Sequence, residues 1–121
     1  MSVLFIEYPK CSTCIRAKKW LAGRNIGFTD RNIVEENPKA DELKVWIERS
    51  GLSSKKFFNT SGRLYKEMHL KDKLESVSED DRIALLASDG MLVKRPLIIA
   101  DDFILIGFKE AEWERKMGLD K

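Results

Sequence analysis

Residues 3–14 read VLFIEYPKCSTC and contain both cysteines of the 121-residue chain, Cys11 and Cys14. The apolar first half predicts a buried strand that ends at Pro9, and the segment that follows has the pattern of a helix. A Cys-x-x-Cys at such a junction puts the first sulfur at the open end of the helix and the second sulfur one turn further along. This arrangement indicates a redox-active pair.

The composition predicts one soluble domain over residues 1–121. Hydrophobic residues make up 43% of the chain and charged residues 35%, as is typical of globular proteins. No linker rich in proline, glycine or serine divides the chain. A chain of this length buries enough surface to fold without a disulfide or a metal, so the cysteines are free for chemistry.

The N-terminal apolar run is too short for a signal peptide or a membrane span, and no basic region precedes it. We therefore expect a cytoplasmic protein that makes no membrane contact. Because the cytoplasm is reducing, a structural disulfide is disfavoured there. This favours a catalytic or redox-sensing role for two neighbouring cysteines.

Charge is nearly balanced over the chain but not around the cysteines. The 22 basic and 20 acidic residues give a net charge of +2, which predicts no direct binding to nucleic acid. A run of basic residues surrounds the cysteines. It is either a solvated helix face or a source of positive charge that stabilises a thiolate. Between Tyr8 and Arg24 it contains no acid and five basic residues: Lys10, Arg16, Lys18, Lys19 and Arg24.

The first third of the chain predicts a strand–helix–strand unit that begins with a strand over residues 3–8. Cys14, Ala17 and Leu21 form one apolar stripe of the helix, which Gly23 ends. Residues 28–34 alternate apolar and polar side chains and predict a second strand. Because a helix connects the two strands, we expect them to be parallel.

The middle of the chain predicts a helical insertion over about residues 39–90. Helical periodicity, turn residues and a capping pattern mark its pieces. They are a helix of about 11 residues between Pro38 and Gly51, a turn at residues 59–62, a helical piece from Leu64 to Leu70, and a helix that Ser78 caps and Gly90 ends.

The last third predicts a tight β-hairpin and a closing helix. Two apolar strands, residues 97–100 and 103–106, are joined by Asp101-Asp102. An amphipathic helix follows from about Lys109 to Met117. The complete order is β-α-β, then several helices, then β-β-α, which defines an α/β fold.

Four motifs give the chain a resemblance to a known family. In chain order they are Tyr8-Pro9-Lys10-Cys11-Ser12-Thr13-Cys14, the turn Asn59-Thr60-Ser61-Gly62 followed by Tyr65, Lys94-Arg95-Pro96-Leu97-Ile98, and Ile106-Gly107-Phe108-Lys109. Together they span nearly the whole chain and resemble the arsenate reductase (ArsC)/Spx/YffB family. The resemblance implies a thioredoxin-like (glutaredoxin-like) fold with a four-stranded mixed sheet, and a cis Pro96 that faces the cysteine loop.

The two cysteines have different expected roles. Cys11 lies at the helix N-terminus, where the helix dipole and unpaired backbone N–H groups favour the thiolate, so we expect it to be the nucleophile. Cys14 lies one turn further on the apolar stripe and is expected to resolve a mixed disulfide by closing Cys11–Cys14. The alternative is a pair of unreactive thiols, of which Cys14 is simply buried.

The sequence predicts no metal site and no bound cofactor. The two cysteines and the single histidine, His69, supply at most three ligands, which is too few for a closed structural zinc site. We expect His69 to be a surface or packing residue.

The resemblance also implies an anion site that contains arginine. Arg95 matches one arginine that clamps the oxyanion in arsenate reductases of this family, a role that suits the planar guanidinium. The chain departs from the family where Ile15 and Lys109 replace arginines and where Glu7 replaces a histidine. With Arg95 and Pro96, the further candidates for the anion site are Lys10, Arg16, Arg63 and Lys109, and the alternative for each of these four is solvated surface.

The resemblance leads to two functional hypotheses. In the first, the protein is a small thiol oxidoreductase, and Cys11 attacks an oxyanion such as arsenate or a glutathione or protein disulfide. Glutathione/glutaredoxin or thioredoxin would be the external reductant. In the second, the protein is an Spx-like regulator whose cysteine pair is a redox switch and whose helical surface binds the RNA polymerase α subunit. The ending at residues 106–109 favours the enzyme, and we expect a monomer.

Overall fold

The computed structural model describes residues 2–117 and contains a four-stranded mixed sheet. The strands lie in the order β2-β1-β3-β4, and β3 pairs antiparallel with both β1 and β4. In this register Phe5 lies opposite Ile98, and Ile98 lies opposite Leu105. The strand bounds are β1 Val3–Glu7, β2 Thr29–Asn32, β3 Leu97–Ala100 and β4 Ile104–Ile106.

The helices confirm the predicted order β-α-β, several helices, β-β-α. Three short 3-10 segments, Ser54–Phe57, Leu74–Ser76 and Gly90–Leu92, connect the helices of the middle region. The helix bounds are α1 Ser12–Gly23, α2 Ala40–Ser50, α3 Arg63–Glu67, α4 Leu70–Lys73, α5 Glu79–Ser88 and α6 Glu110–Lys116. Within the described residues, no helix is long and apolar enough to cross a membrane.

The described chain divides into two compact units. Residues 2–31 together with residues 95–117 form the first unit, and Asn32–Lys94 form the second. The second unit contains α2 to α5 and coincides with the predicted helical insertion at about residues 39–90. The assignment of residues 1–121 to one domain stays a prediction.

The core of the first unit lies between the sheet and the helices α1 and α6. Val3 and Phe5 of β1 pack with Ala17 and Leu21 of α1 in one buried cluster. Trp113 of α6 is fully buried in the same cluster. Each large apolar side chain removed from water contributes about 1.5–3 kcal/mol to folding, so this cluster fixes α1 on the sheet.

Aromatic edge contacts add specificity to this core. The ring of Trp113 lies 5.7 Å from the ring of Trp20 and 4.8 Å from that of Phe108, both in T-shaped arrangements. Such pairs contribute about 0.5–1.5 kcal/mol beyond the burial of area. They tie α6 and the segment after β4 to the C-terminal half of α1.

The second unit confirms most of the predicted helix boundaries. Helix α2 ends at Gly51, which adopts the left-handed conformation with φ 71°. The Ser78 hydroxyl accepts a hydrogen bond from the backbone N–H of Asp81 over 3.1 Å, as expected of a helix cap.

Two predicted elements differ from the structure. The second strand is shorter than residues 28–34, because the Asn32 side chain accepts hydrogen bonds from the backbone N–H groups of Val34 and Glu35 and turns the chain. The helical piece predicted from Leu64 to Leu70 is two helices, α3 and α4. His69 separates them in a left-handed conformation with φ 54° and is exposed, which confirms it as a surface residue.

Gly90 does not end α5 as predicted. The helix ends at Ser88, and Gly90 begins the 3-10 segment that follows. A Cβ atom at residue 90 would lie 1.9 Å from the carbonyl oxygen of Ile33. The glycine is therefore required by the close approach of two backbone segments within the second unit.

Gly90→Ala should destabilise the protein, because the backbone at Ile33 must move to admit the methyl group. We expect the free energy of unfolding to fall by about 3 kcal/mol. Gly23→Ala is the matched control, since a Cβ there meets nothing within 4 Å and alanine favours the helix by about 0.5 kcal/mol. Urea denaturation of both variants measures the difference, and equal stabilities would contradict the steric argument.

Candidate active site

The turn from β1 into α1 holds the first cysteine at the helix N-terminus. Pro9 follows β1 and supplies no N–H for a strand partner. The backbone N–H of Cys11 donates to the Tyr8 carbonyl over 3.0 Å, and the Cys11 carbonyl accepts from the N–H of Ile15 over 3.0 Å. Cys11 itself has an extended backbone (φ −86°, ψ 121°) and occupies the N-cap position. Its side chain therefore lies where the first N–H groups of α1 are unpaired.

The surroundings of Cys11 favour its thiolate. Partial burial alone would raise the pKa of the Cys11 thiol. Hydrogen bonds from the backbone and thiol of Cys14, from the Arg95 guanidinium and from the Thr13 backbone outweigh burial, so that the pKa lies below its ordinary value. Cys11 is half-buried, so the sulfur is accessible to a reagent. These are the properties of a nucleophilic cysteine.

Cys14 has the opposite environment. It is 1% exposed, and this burial is the main reason why the pKa of its thiol rises to about 12. The neighbouring Cys11 raises this pKa further, while the Tyr8 backbone and the charge of Arg95 lower it in part. A thiol with such a pKa is ionised in roughly one molecule in 10⁵ at neutral pH. The two sulfurs are thus clearly different in acidity.

Arg95 and Pro96 lie at the start of β3, and the peptide bond between them is cis, as the resemblance implied. Arg95 is half-buried, and its guanidinium lies 5.2 Å from the centre of the Tyr8 ring. Pro96 is buried. Together with the hydrogen bond to Cys11, the stacking on Tyr8 places the guanidinium beside the reactive sulfur.

The segment after β4 supports this loop, a role that the sequence alone did not reveal. Gly107 donates its backbone N–H to the Pro96 carbonyl over 2.9 Å. Its own carbonyl accepts from the indole N–H of Trp113 over 3.2 Å. Gly107 has φ 75°, a conformation in which a side chain costs about 1–2 kcal/mol. The Ile106-Gly107-Phe108 motif is therefore structural support for the Arg95-Pro96 loop.

The other predicted anion-site residues are all exposed. Lys10 and Lys109 are exposed, the former next to Cys11 and the latter at the N-cap of α6. Arg16 is also exposed, and its guanidinium lies 3.5 Å from the Thr13 hydroxyl and 5.9 Å from the Phe108 ring. Arg63 belongs to the second unit, where its 90% exposed side chain lies 3.6 Å from Glu67. Their roles in anion binding stay predictions.

A buried carboxyl beside α1 was missed by the sequence analysis as a functional group. Glu7, the last residue of β1, is 5% exposed. Its carboxylate lies 3.4 Å from the Lys18 ammonium, which also lies 2.7 Å from Asp30. The signal in the sequence was a single acid at the end of an otherwise apolar strand. Because acids are rarely buried without partners, such an acid indicates a paired or functional group.

The pKa of Glu7 is strongly perturbed. Burial, followed by a hydrogen bond to Asp30 and the charge of Asp30, raises the pKa of Glu7 to about 7, although Lys18 acts in the opposite direction. Burial would also raise the pKa of Asp30, but its hydrogen bonds with Glu7 and Lys18 outweigh burial and lower it. The pair therefore holds one proton, mainly on Glu7, at slightly acidic pH.

Among residues 2–117 the structure contains no group of three or more His, Cys, Asp or Glu side chains arranged to hold a metal ion. Both cysteines are free thiols. The reactive groups that the structure shows at the site are the two thiols and the guanidinium of Arg95, and the carboxyl pair of Glu7 and Asp30 lies beside α1.

The fold and the site define a thioredoxin-like protein with a redox-type cysteine pair at the start of its first helix. Comparison with known proteins gives the family. The sequence model of the ArsC family matches residues 6–116, nearly the whole chain. The chain belongs to the ArsC family.

Solved structures show the same fold. An ArsC family related protein from Bacteroides fragilis is 56% identical with a TM-score of 0.92, over 95% of this chain and 97% of that protein. A possible arsenate reductase from Streptococcus mutans is 46% identical with a TM-score of 0.86, over 94% of this chain and 97% of that protein. The predicted thioredoxin-like fold and family resemblance are confirmed.

A regulator is also among the relatives. The global transcriptional regulator Spx of Staphylococcus epidermidis is 28% identical over 115 residues, which cover 95% of this chain and 86% of that protein. The family therefore contains relatives named as enzymes and relatives named as regulators.

Cys11 should react with iodoacetamide faster than Cys14 at every pH from about 5 to 9, because only its thiolate is stabilised. Mass spectrometry of peptides from partly alkylated protein gives the two rates. Arg95→Gln should move the inflection of the Cys11 rate to higher pH, since the guanidinium lowers this pKa. Lys10→Gln, at an exposed position, is the matched control. Equal rates for the two cysteines would contradict the assignment of Cys11 as the nucleophile.

Glu7→Gln should change how stability depends on pH. The pKa of Glu7 is about 7 in the folded protein and 4.5 without the effects of folding. As the pH rises, the unfolded state therefore loses this proton first. The wild type should therefore lose stability relative to Glu7→Gln as the pH rises from about 5 to 8. The pKa of Asp30 is lowered from 3.8, so Asp30 changes the pH dependence of stability only below about this pH, outside the range of the measurement.

Urea denaturation of the wild type and Glu7→Gln across this range measures the difference. Glu35→Gln, at an exposed position, is the control and should give a constant difference. A constant difference for Glu7→Gln as well would show that Glu7 titrates normally in the folded protein.

Proposed function

We propose that the protein is a small thiol oxidoreductase in which Cys11 is the nucleophile and Cys14 the resolving thiol. One observation carries this proposal: the two sulfurs share the N-terminus of α1, yet the pKa of Cys11 is lowered and that of Cys14 is raised to about 12. Dithiol chemistry requires two groups. One is a thiolate that attacks the substrate, and the other is a thiol that stays protonated until it attacks the mixed disulfide.

The reaction proceeds in two exchanges. The Cys11 thiolate attacks a substrate disulfide R–S–S–R, forms the mixed disulfide Cys11–S–S–R and releases one RS⁻. Cys14 then loses its proton and attacks the Cys11 sulfur, which closes the Cys11–Cys14 disulfide and releases the second RS⁻. The substrate gains two electrons, and the protein loses two. An external dithiol such as thioredoxin, or glutathione with glutaredoxin, returns them.

The residues around Cys11 favour a disulfide substrate over a tetrahedral oxyanion. Ile15, one helical turn after Cys11, is 44% exposed, so the first turn of α1 presents an apolar side chain to solvent. Arg16 contacts Thr13 and Phe108, while Arg95 hydrogen bonds to Cys11. An oxyanion is bound best by several donors that act together. Arsenate remains the substrate to be tested beside disulfides.

Several further expectations belong to this proposal. We place the protein in the cytoplasm, where thiol reductants are abundant. We also propose that it acts as a monomer and needs no bound cofactor, since the two thiols supply the electrons. Its partners are then the thiol reductant and the small disulfide or oxyanion substrate.

Turnover assays test the proposal. We expect NADPH-coupled reduction of a low-molecular-weight disulfide with thioredoxin or glutathione/glutaredoxin, and much weaker or no reduction of arsenate. Cys11→Ser should abolish activity in either system. Cys14→Ser should accumulate the mixed disulfide on Cys11, visible as a mass increase. Absence of turnover with every substrate and both reductants would overturn the proposal.

The second candidate is an Spx-like, redox-switched regulator. The 28% identity to the Staphylococcus epidermidis regulator over 95% of this chain favours it. In this role the dithiol and disulfide forms would differ in affinity for the RNA polymerase α subunit. A pull-down with purified α subunit, using the reduced and oxidised protein and Cys11→Ser, tests it. Redox-dependent binding without turnover would reverse the order of the two candidates.

A further inference from the structure

Closure of the Cys11–Cys14 disulfide requires a proton acceptor. Cys14 is fully buried, and with a pKa of about 12 its thiol is almost entirely protonated at neutral pH. It cannot attack the Cys11 sulfur until that proton leaves. A positioned base with a pKa near the working pH typically accelerates such a step by about 10²–10⁴-fold.

Glu7 lies on the face of β1 that packs against α1, the helix that carries Cys14. The alternation of β1 puts Glu7 on the same face as Phe5, which packs in the cluster that contains Ala17 and Leu21 of α1. Its carboxylate lies 3.4 Å from Lys18, which follows Cys14 by one helical turn and shares its side of the helix. The backbone of Tyr8, the residue after Glu7, hydrogen bonds to Cys14. Glu7 and Cys14 therefore lie on the facing sides of two packed elements, β1 and α1.

The charged groups around Glu7 let it both take up and release a proton. Lys18 faces it from α1 and Asp30 from β2, and Lys18 lies within hydrogen-bond distance of both carboxylates. On the side of β3, Arg95 stacks on Tyr8 and contacts Cys11. Burial and Asp30 raise the pKa of Glu7 to about 7, against the influence of Lys18. Both protonation states of Glu7 are therefore populated near neutral pH.

No other described residue combines a carboxylate, burial and a position next to α1. Glu7 is the one carboxylate of residues 2–117 that is buried. Asp30, which lies 2.7 Å from the Lys18 ammonium, has a side chain that is 38% exposed. A buried acid carries a cost in stability unless it is paired, and Glu7 is paired with Lys18 and Asp30.

We propose that Glu7 is the proton acceptor for Cys14 when the disulfide closes, and the proton donor when it reopens. This inference rests on the proposed redox function of the cysteine pair. In closure, the Cys14–H proton passes to the Glu7 carboxylate, and the Cys14 sulfur forms a bond to the Cys11 sulfur. The bond between Cys11 and the substrate sulfur breaks, and the substrate leaves as RS⁻ with both electrons of that bond.

A two-phase reaction with dithiobis(nitrobenzoate) isolates the step. With one equivalent of reagent, attack by Cys11 releases the first thionitrobenzoate, and attack by Cys14 on the mixed disulfide releases the second. Stopped-flow absorbance gives both rates as a function of pH. For the wild type, the rate of the second phase should rise through an inflection near pH 7 and then level off.

Glu7→Gln should slow the second phase by about 10²-fold near pH 7.5 and leave the first phase unchanged. Its rate should then rise about tenfold per pH unit without the inflection, because hydroxide replaces the carboxylate. Glu35→Gln, an exposed position, is the matched control and should follow the wild type in both phases. An unchanged second phase in Glu7→Gln, with the fold intact by circular dichroism, would overturn the inference.

Asp30→Asn gives a second test that keeps the carboxylate of Glu7. Because Asp30 raises the pKa of Glu7, its neutral replacement should move the inflection of the second phase to lower pH. An inflection that stays in place would also contradict the role of Glu7.

The failure of this inference and the failure of the proposed function have different signatures. If the wild type releases only one thionitrobenzoate, Cys14 does not resolve the mixed disulfide and the oxidoreductase proposal fails. If the wild type releases two and Glu7→Gln does so at the same rate, only the proton-acceptor role fails.

Discussion

The hydrogen bonds that converge on the Cys11 sulfur are the interaction on which the rest of the site depends. The first N–H groups of α1 have no partners within the helix, and a negative sulfur at the N-cap satisfies them. The Arg95 guanidinium, which carries a full positive charge, hydrogen bonds to the same sulfur. Since these groups favour the anion more than burial opposes it, Cys11 becomes acidic while Cys14, on the other side of the same turn, does not. The difference in acidity between the two thiols thus follows from the hydrogen bonds on Cys11 and the burial of Cys14.

This geometry is maintained from a distance. Trp113 of α6 donates to the Gly107 carbonyl, and Gly107 donates to the Pro96 carbonyl, so the closing helix fixes the loop that carries Arg95. The indole ring of Trp113 also contacts Trp20 near the end of α1. Helix α6 therefore supports both the arginine and the helix that presents the cysteine, although it supplies no group to the sulfur.

The parts of this protein that could be predicted from sequence are those set by local chemistry. The strand before Cys11, the stripe that buries Cys14, the left-handed end at Gly51 and the cap at Ser78 are each written within a few residues. The break at His69 and the close approach of Gly90 to Ile33 depend on packing between segments that are distant in the chain. Glu7 is of the second kind, because its neighbours Lys18 and Asp30 come from other elements.

The position of Glu7 also bears on why such a small protein tolerates a buried acid. A carboxyl whose pKa equals its ordinary value would be ionised throughout the neutral range and could not return a proton to Cys14. Burial together with Asp30 raises the pKa of Glu7 to about 7, while Lys18 keeps the charged form from becoming prohibitively costly. Asp30 raises the pKa of Glu7 and Lys18 lowers it, so the three side chains together set the pH at which Glu7 titrates. Such a set of side chains suits the proposed role of Glu7, in which its carboxyl holds and releases one proton.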